Sequence, residues 1–162
     1  MANESKTYNV EEFNHSKFPL HGKVFARTEA NLLIFDLVGP FNQEFISALY
    51  QFRMKILQDW SQSGFYGMLI NISESIMLSP AAFLSFAEGV RNSVAQFRPV
   101  AQAWSIAKDV EGRIFMIPKI ETLYRDLGIA IKFFDEENSA RCWLIDLLKS
   151  NDVLNEKSMQ MG

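Results

Sequence analysis

The side chains that most often perform chemistry are few in this sequence, and they lie far apart. His15 and His21 are its two histidines, and Cys142 is its one cysteine. A structural zinc site takes four ligands, usually in two closely spaced pairs, whereas Cys142 is remote from both histidines. The spacing therefore predicts no metal site, and the histidines are expected to be solvated or casually packed.

Motifs that position a catalytic group are also missing from the sequence. It contains neither GxSxG, which places a serine nucleophile on a tight turn, nor GxxxxGK[ST], which cradles phosphates, and its eight glycines never form GxGxxG. No pair of residues suggests a nucleophile with its base. We therefore expect a protein that is not an enzyme, with no cofactor and no catalytic residue.

Two single residues could still be chemically active. Cys142 follows Arg141, and a neighbouring positive charge can lower the pKa of a thiol. However, Cys142 lies in an apolar helical segment, which predicts a buried and inert thiol.

Asp36 lies in a strand of Leu, Ile, Phe and Val. Because a buried unpaired carboxylate is costly, Asp36 is expected to face solvent or to have a partner.

Composition restricts the class of protein. The chain has 162 residues, of which 48% are apolar and 22% charged, with a net charge of -3. These values fit one globular domain, and the lack of a basic excess argues against nucleic-acid binding. No apolar run approaches the roughly 20 residues that span a bilayer. The polar start does not resemble a signal peptide, and a single cysteine is typical of a reducing compartment. We therefore expect a cytoplasmic protein, which could also contact a membrane at its periphery.

The apolar pattern predicts strands that alternate with helices. The predicted strands are 22–28, 31–39, 65–73, 100–107 and 129–134, and the predicted helices follow the caps Asn42, Ser79 and Asp135 and the turn 109–112, with Pro118 interrupting or restarting the third helix. Such alternation indicates a mixed, mostly parallel five-stranded sheet with about four helices, and the short link before residue 31 makes the first strand antiparallel. Residues 1–20 are expected to form a flexible or loosely docked arm, 21–150 a single α/β domain and 151–162 a frayed polar tail.

Two loops at the predicted carboxyl edge of the sheet are unexpectedly apolar. Ligand sites of open parallel sheets form at this edge. Ile76 and Met77 precede the second helix, Phe115 and Met116 precede Pro118, and Phe41 follows the second strand. We hypothesise that these five residues line a pocket or an exposed rim. The alternative is that both segments belong to the core, with Ile114, Phe115 and Ile117 on one buried helical face.

Three segments resemble a known family: LLIFDLVGPFNQEF, the strand MLINIS leading into a capped helix, and the ending IKFFDEENSARCWL. With the order of elements, they resemble the STAS or anti-sigma-factor-antagonist (SpoIIAA-like) family, and are most similar to its bacterial branch grouped with lipid-binding CRAL-TRIO folds. The resemblance covers about residues 22–148. It implies a five-stranded mixed sheet, no cofactor, and a role in protein–protein regulation or ligand sensing.

Regulatory members of that family start the second helix with an Asp-Ser-Ser-Gly-like motif, whose serine is phosphorylated. Here Ser79 stands at the position of the aspartate, and Pro80 and Ala81 stand at the two serine positions. This departure favours Ser79 as a simple N-cap. Phosphorylation of Ser79 would be a different event from that of the family.

Two functions remain open from the sequence. The first is a non-enzymatic module that binds a small apolar ligand or a membrane surface at the carboxyl-edge loops. The second is a protein–protein regulator that acts through the surface around Ser79 and the second helix. Cavity volume distinguishes them, because small-molecule sites enclose roughly 300 Å³ or more. The sequence leaves the oligomeric state open.

Overall fold

A single five-stranded sheet forms the centre of the protein. The computed structural model describes residues 8–60 and 64–161. The strands are β1 (Lys23–Glu29), β2 (Leu32–Val38), β3 (Gly67–Ser73), β4 (Ala101–Ile106) and β5 (Ala130–Phe134), and they lie side by side in this order. β1 is antiparallel to β2, and the other three pairs are parallel. The predicted mixed, mostly parallel sheet is confirmed.

Four α-helices pack on the two faces of this sheet, as predicted. They are α1 (Gln43–Asp59), α2 (Pro80–Gln96), α3 (Arg113–Asp126) and α4 (Glu137–Gln160). Each of the first three helices connects two neighbouring parallel strands, and each new strand lies on the same side of the one before it. Right-handed crossovers therefore place all three on the same face, and their buried residues join one core cluster.

Within the described residues, α4 is the helix that covers the opposite face. Ala140, Leu144 and Leu148 of this helix pack against β2, β3 and β4 in a second, smaller cluster. Gly67 allows the close approach, because a Cβ at this position would lie 2.8 Å from Leu144 Cδ1. The three helical residues are four positions apart, so they form one apolar stripe.

The predicted helix starts at Asn42 and Ser79 are confirmed. Asn42 Oδ1 accepts hydrogen bonds from the amides of Phe45 and His21, both at 3.0 Å. Ser79 Oγ accepts from the Ala82 amide at 3.1 Å, and proline opens the helix. Both side chains satisfy amides that have no partner within the helix. Pro118, in contrast, lies inside a continuous α3.

Asp135 does not cap the last helix, which corrects the prediction. Glu136 precedes α4, and its side chain makes no capping bond. Asp135 instead accepts a hydrogen bond from Arg113 Nη2 at 2.5 Å, and Lys108 Nζ lies 3.7 Å away. The two cations attract this carboxylate toward the start of α3. Asp135 also lies one residue before the cap position, which Glu136 occupies.

Both ends of the described chain contain helical structure. The α4 helix includes residues 151–160, the segment that was predicted to be a polar tail. At the other end, residues 10–13 form a turn of 3-10 helix with Val10 buried, and the Tyr8 hydroxyl donates to Asp59 at 2.6 Å. Burial and this hydrogen bond raise the pKa of Tyr8 to about 12. Residues 1–7 of the expected arm, and residues 61–63 after α1, lie outside the described residues.

Candidate functional site

Two loops at the carboxyl edge of the sheet are joined to each other. One follows β3 (residues 74–79), and the other follows β4 (residues 107–112). The Glu111 amide donates to the Glu74 carbonyl at 3.1 Å, and the Ile76 amide donates to the Glu111 carbonyl at 2.9 Å. These backbone hydrogen bonds hold the two loops next to each other, so the residues that they carry lie on one surface.

The five predicted site residues divide into an exposed and a buried set. Phe115 is 71% exposed and Met77 is 38% exposed, whereas Ile76 and Met116 are each 2% exposed. Phe41 is half-buried and stacks on Phe45 with ring centroids 5.2 Å apart. Ile76 and Met116 therefore belong to the core and are not surface contacts, which corrects that part of the expectation.

The helical register of α3 explains this division. Its buried residues are Met116, Ile120, Leu123 and Tyr124, at a spacing of four, three and one. This stripe turns Ile114 and Phe115 outward, and Ile114 is 81% exposed. The alternative expectation, in which Ile114 and Phe115 lie on a buried face with Ile117, is wrong.

Met77, Ile114 and Phe115 form what we call the apolar edge. The Met77 side chain lies directly over Gly112, the residue before α3, so the loop after β3 contacts the start of that helix. The two supporting loops carry Glu74, Asp109 and Glu111 against one cation, Lys108. The apolar edge is thus bordered by a net negative charge.

The cavity beneath the loops is too small for a ligand. It is lined by Phe41, Ile76 and nine further apolar residues, and its volume is about 30 Å³. This is the volume of about one water molecule in the liquid, whereas sites for small molecules enclose roughly 300–1,000 Å³. Of the predicted residues, Met77 and Phe115 lie on the surface, Phe41 and Ile76 border this small void, and Met116 is buried in the core.

An open groove lies beside the apolar edge, and the sequence reasoning missed it. The groove runs between α3 and β5 and has a volume of about 440 Å³. Its lining residues are Arg113, Ile114, Ile117, Pro118, Glu121, Ile131, Lys132 and Phe133. The signal in the sequence was that the last predicted strand is short. At the end of the sheet, this strand has a free edge next to α3.

Asp36 lies on the face of the sheet that α4 covers, and its partners lie on the same face. Asn71 Nδ2 donates to it at 2.7 Å, and Arg27 Nη1 donates at 2.5 Å. Arg27 also lies 3.3 Å from Glu137 of α4. These contacts balance the charge of Asp36, and none of them pairs it with a second carboxylate for acid–base chemistry.

The same face carries a second ion pair that attaches α4 to the edge strand β1. Arg141 Nη1 lies 2.6 Å from Glu29. This hydrogen bond is the main reason that the pKa of Glu29 is held below its ordinary value. The pair is structural, since it joins the start of α4 to β1.

The remaining reactive residues do not assemble into a site. Cys142 is exposed, which corrects the expectation of a buried thiol, because α4 turns Ala140 and Leu144 inward and Cys142 outward. His15 and His21 are exposed as well. Within residues 8–60 and 64–161, no three His, Cys, Asp or Glu side chains are grouped as metal ligands. In the same residues no helix has both the length and the apolar character needed to cross a membrane.

The sheet order, the antiparallel first strand and the four helices give the mixed, mostly parallel five-stranded α/β fold that the sequence predicted. Among solved structures, the chain is similar to an uncharacterised protein of the DUF3478 family with a SpoIIAA-like fold from Shewanella loihica PV-4. The two are 17% identical with a TM-score of 0.47, and the similarity covers 80% of this chain and 98% of that chain. No family model matches the chain, and no curated protein matches it. The likeness concerns the fold, and fold does not assign function.

Proposed function

We propose that this chain is a non-enzymatic docking module that binds a protein partner through the apolar edge. One observation carries the proposal: Ile114 and Phe115, consecutive residues in the first turn of α3, both have most of their surface in water. Burying an apolar side chain of this size contributes about 1.5–3 kcal/mol. An exposed apolar group of this kind is typical of an interaction surface.

The rigid support of the apolar edge favours binding. Two backbone hydrogen bonds join its loops, and Met77 packs over Gly112. Ordering flexible loops costs free energy when a partner binds, and a preformed surface avoids much of this cost. The arrangement therefore suits a partner that fits a fixed shape.

A protein partner agrees better with this surface than a small molecule or a membrane does. The void of about 30 Å³ beside Phe41 and Ile76 has no room for a small apolar ligand, and the groove of about 440 Å³ between α3 and β5 is an open surface groove that would not enclose one. The acidic residues of the supporting loops would repel anionic lipids. The charge favours a partner that presents an apolar contact with basic residues around it.

Site-specific photocrosslinking in cells that express the protein tests the proposal. A benzoylphenylalanine at position 115 is expected to give a discrete protein adduct. The matched control is the same group at position 25, because Phe25 of β1 is 63% exposed but lies away from the apolar edge. Equal labelling at both positions would contradict the proposal. Flotation with vesicles of phosphatidylcholine and phosphatidylglycerol, lost on Phe115→Asp, would replace the protein partner by a membrane.

A further inference from the structure

The two edge strands of the sheet differ in how they are protected. An uncovered edge presents unpaired backbone groups, and charged side chains normally discourage another strand from pairing there. β1 carries Lys23, Arg27 and Glu29, whereas β5 has the sequence AIKFF with Lys132 as its one charge. Within the described residues, β5 pairs with β4 on one side and with no strand on the other. β5 is the less protected edge.

α3 extends over this free edge. Ile114, Ile117, Pro118 and Glu121 belong to one face of the helix, and they line the groove together with Ile131 and Phe133 of β5. A strand added to β5 would run beside it at about 4.8 Å. Its side chains on that face would then contact the apolar residues of α3. The five residues of β5 limit such a strand to about 17 Å.

The charges of the groove indicate what would bind there. Arg113 is paired with Asp135, and Glu121 is paired with Arg125. Lys132 makes no ion pair within the described residues, and its Nζ lies 5.4 Å from the ring centroid of Phe134. Lys132 therefore places one uncompensated positive charge at the middle of the edge strand, on the same face as Phe134 and opposite to the face that Ile131 and Phe133 turn toward α3.

We infer that the free edge of β5 accepts an extended segment of a partner protein as a sixth strand, with apolar side chains beneath α3 and an acidic side chain beside Lys132. Backbone hydrogen bonds would supply affinity, and the alternating side chains would supply specificity. A second copy of the chain fits less well, because antiparallel pairing of two β5 strands about their centres places Lys132 opposite Lys132. Like charges directly opposite each other are destabilising.

A synthetic peptide tests this inference. The probe is a nine-residue peptide that alternates valine with polar residues and has glutamate at its centre, titrated into the ¹⁵N-labelled chain. We expect shifts of the amides of Ala130–Phe134 on binding. A peptide with lysine at the centre should bind roughly fivefold more weakly, and one with two adjacent central prolines about tenfold more weakly, because it loses a backbone donor.

Reversing the charge on the chain gives the matched control. Lys132→Glu should exchange the two preferences, so that the lysine peptide binds more tightly than the glutamate peptide. Shifts that are absent, that lie outside β5 and α3, or that persist unchanged with the proline peptide would overturn the inference. A dimer in sedimentation analysis that the peptide does not dissociate would identify a second copy as the occupant and overturn it as well.

The inference is independent of the proposed function, although Ile114 borders both surfaces. Phe115 does not line the groove. Phe115→Asp is therefore expected to abolish docking at the apolar edge and to leave peptide binding unchanged. Binding of the peptide without a crosslinked partner at position 115 would contradict the proposed function alone.

Discussion

The side chain of Met77 occupies the space that a Cβ on Gly112 would need. A Cβ at Gly112 would lie 2.4 Å from both Cγ and Sδ of Met77, and Gly112 has a φ of 81°. Gly112→Ala should therefore be destabilising for two reasons: the left-handed backbone costs roughly 1–2 kcal/mol for a residue with a Cβ, and Met77 must move. Urea denaturation measures the loss in the free energy of unfolding.

A double-mutant cycle separates these two causes. In a Met77→Ala background the contacts with Cγ and Sδ are gone, so the cost of Gly112→Ala should fall toward the backbone contribution. A coupling of at least about 0.5 kcal/mol is expected between the two positions. Equal costs of Gly112→Ala in both backgrounds would mean that Met77 does not rest on Gly112.

Phe115 and Met116 are neighbours with opposite environments, and they give a matched pair. Phe115→Asp changes an exposed side chain and should alter the free energy of unfolding by no more than about 0.5 kcal/mol. Met116→Ala removes a buried side chain and should cost about 2–5 kcal/mol. Thermal and urea unfolding measure both. Unfolding of Phe115→Asp would place this residue in the core and remove the basis of the apolar edge.

The ion pair between Glu29 and Arg141 predicts a pH dependence in the acid range. Because the hydrogen bond from Arg141 lowers the pKa of folded Glu29, the folded state binds fewer protons at this site than the unfolded chain. The pair's contribution to stability is therefore fully present above the ordinary glutamate pKa of about 4.3 and is lost as the pH falls through the lower folded value.

NMR titration of the Glu29 carboxyl carbon measures this shift directly. Arg141→Met keeps an unbranched apolar stem and removes the charged guanidinium, so the pKa of Glu29 should rise toward its ordinary value. Lys55→Met is the control, because Lys55 pairs with Asp59 on the other face of the sheet. An unchanged Glu29 pKa in Arg141→Met would show that another group holds it low.

Cys142 should react as an accessible thiol. It is exposed on α4, so the native chain is expected to consume one equivalent of Ellman's reagent without denaturant. The helical circular-dichroism signal should not change, since the adduct points into solvent. Reaction that requires urea would mean that Cys142 is covered in solution, and Cys142→Ser should show no reaction in either condition.

Much of the fold follows from local sequence signals. Asn42, Ser79 and Pro80 mark helix starts because their side chains or ring fit the first turn wherever the helix packs. The alternation of strands with helices then determines a mostly parallel sheet. These signals lie within a few residues of one another, so one sequence is enough to read them.

The candidate site depended on helical register and long-range pairing, which the sequence expresses poorly. The run from Ile114 to Ile117 is apolar throughout, so it did not indicate that Met116 turns inward and Phe115 outward. Asp135 is one residue from the cap position, and its attraction to Arg113 and Lys108 could not be seen from spacing. Cys142 was misjudged for the same reason, since its apolar neighbours face a sheet on only one side of the helix.

The assignment of one whole sheet face to α4 has a consequence for how the chain acquires its structure during synthesis. The other three helices can close their face in step with the strands that they connect. Leu32, Ile34 and Leu69, however, stay open to water until Leu144 and Leu148 have left the ribosome. A nascent chain that ends before Leu148 would expose an apolar sheet face to solvent. Chaperone binding should therefore persist up to that length.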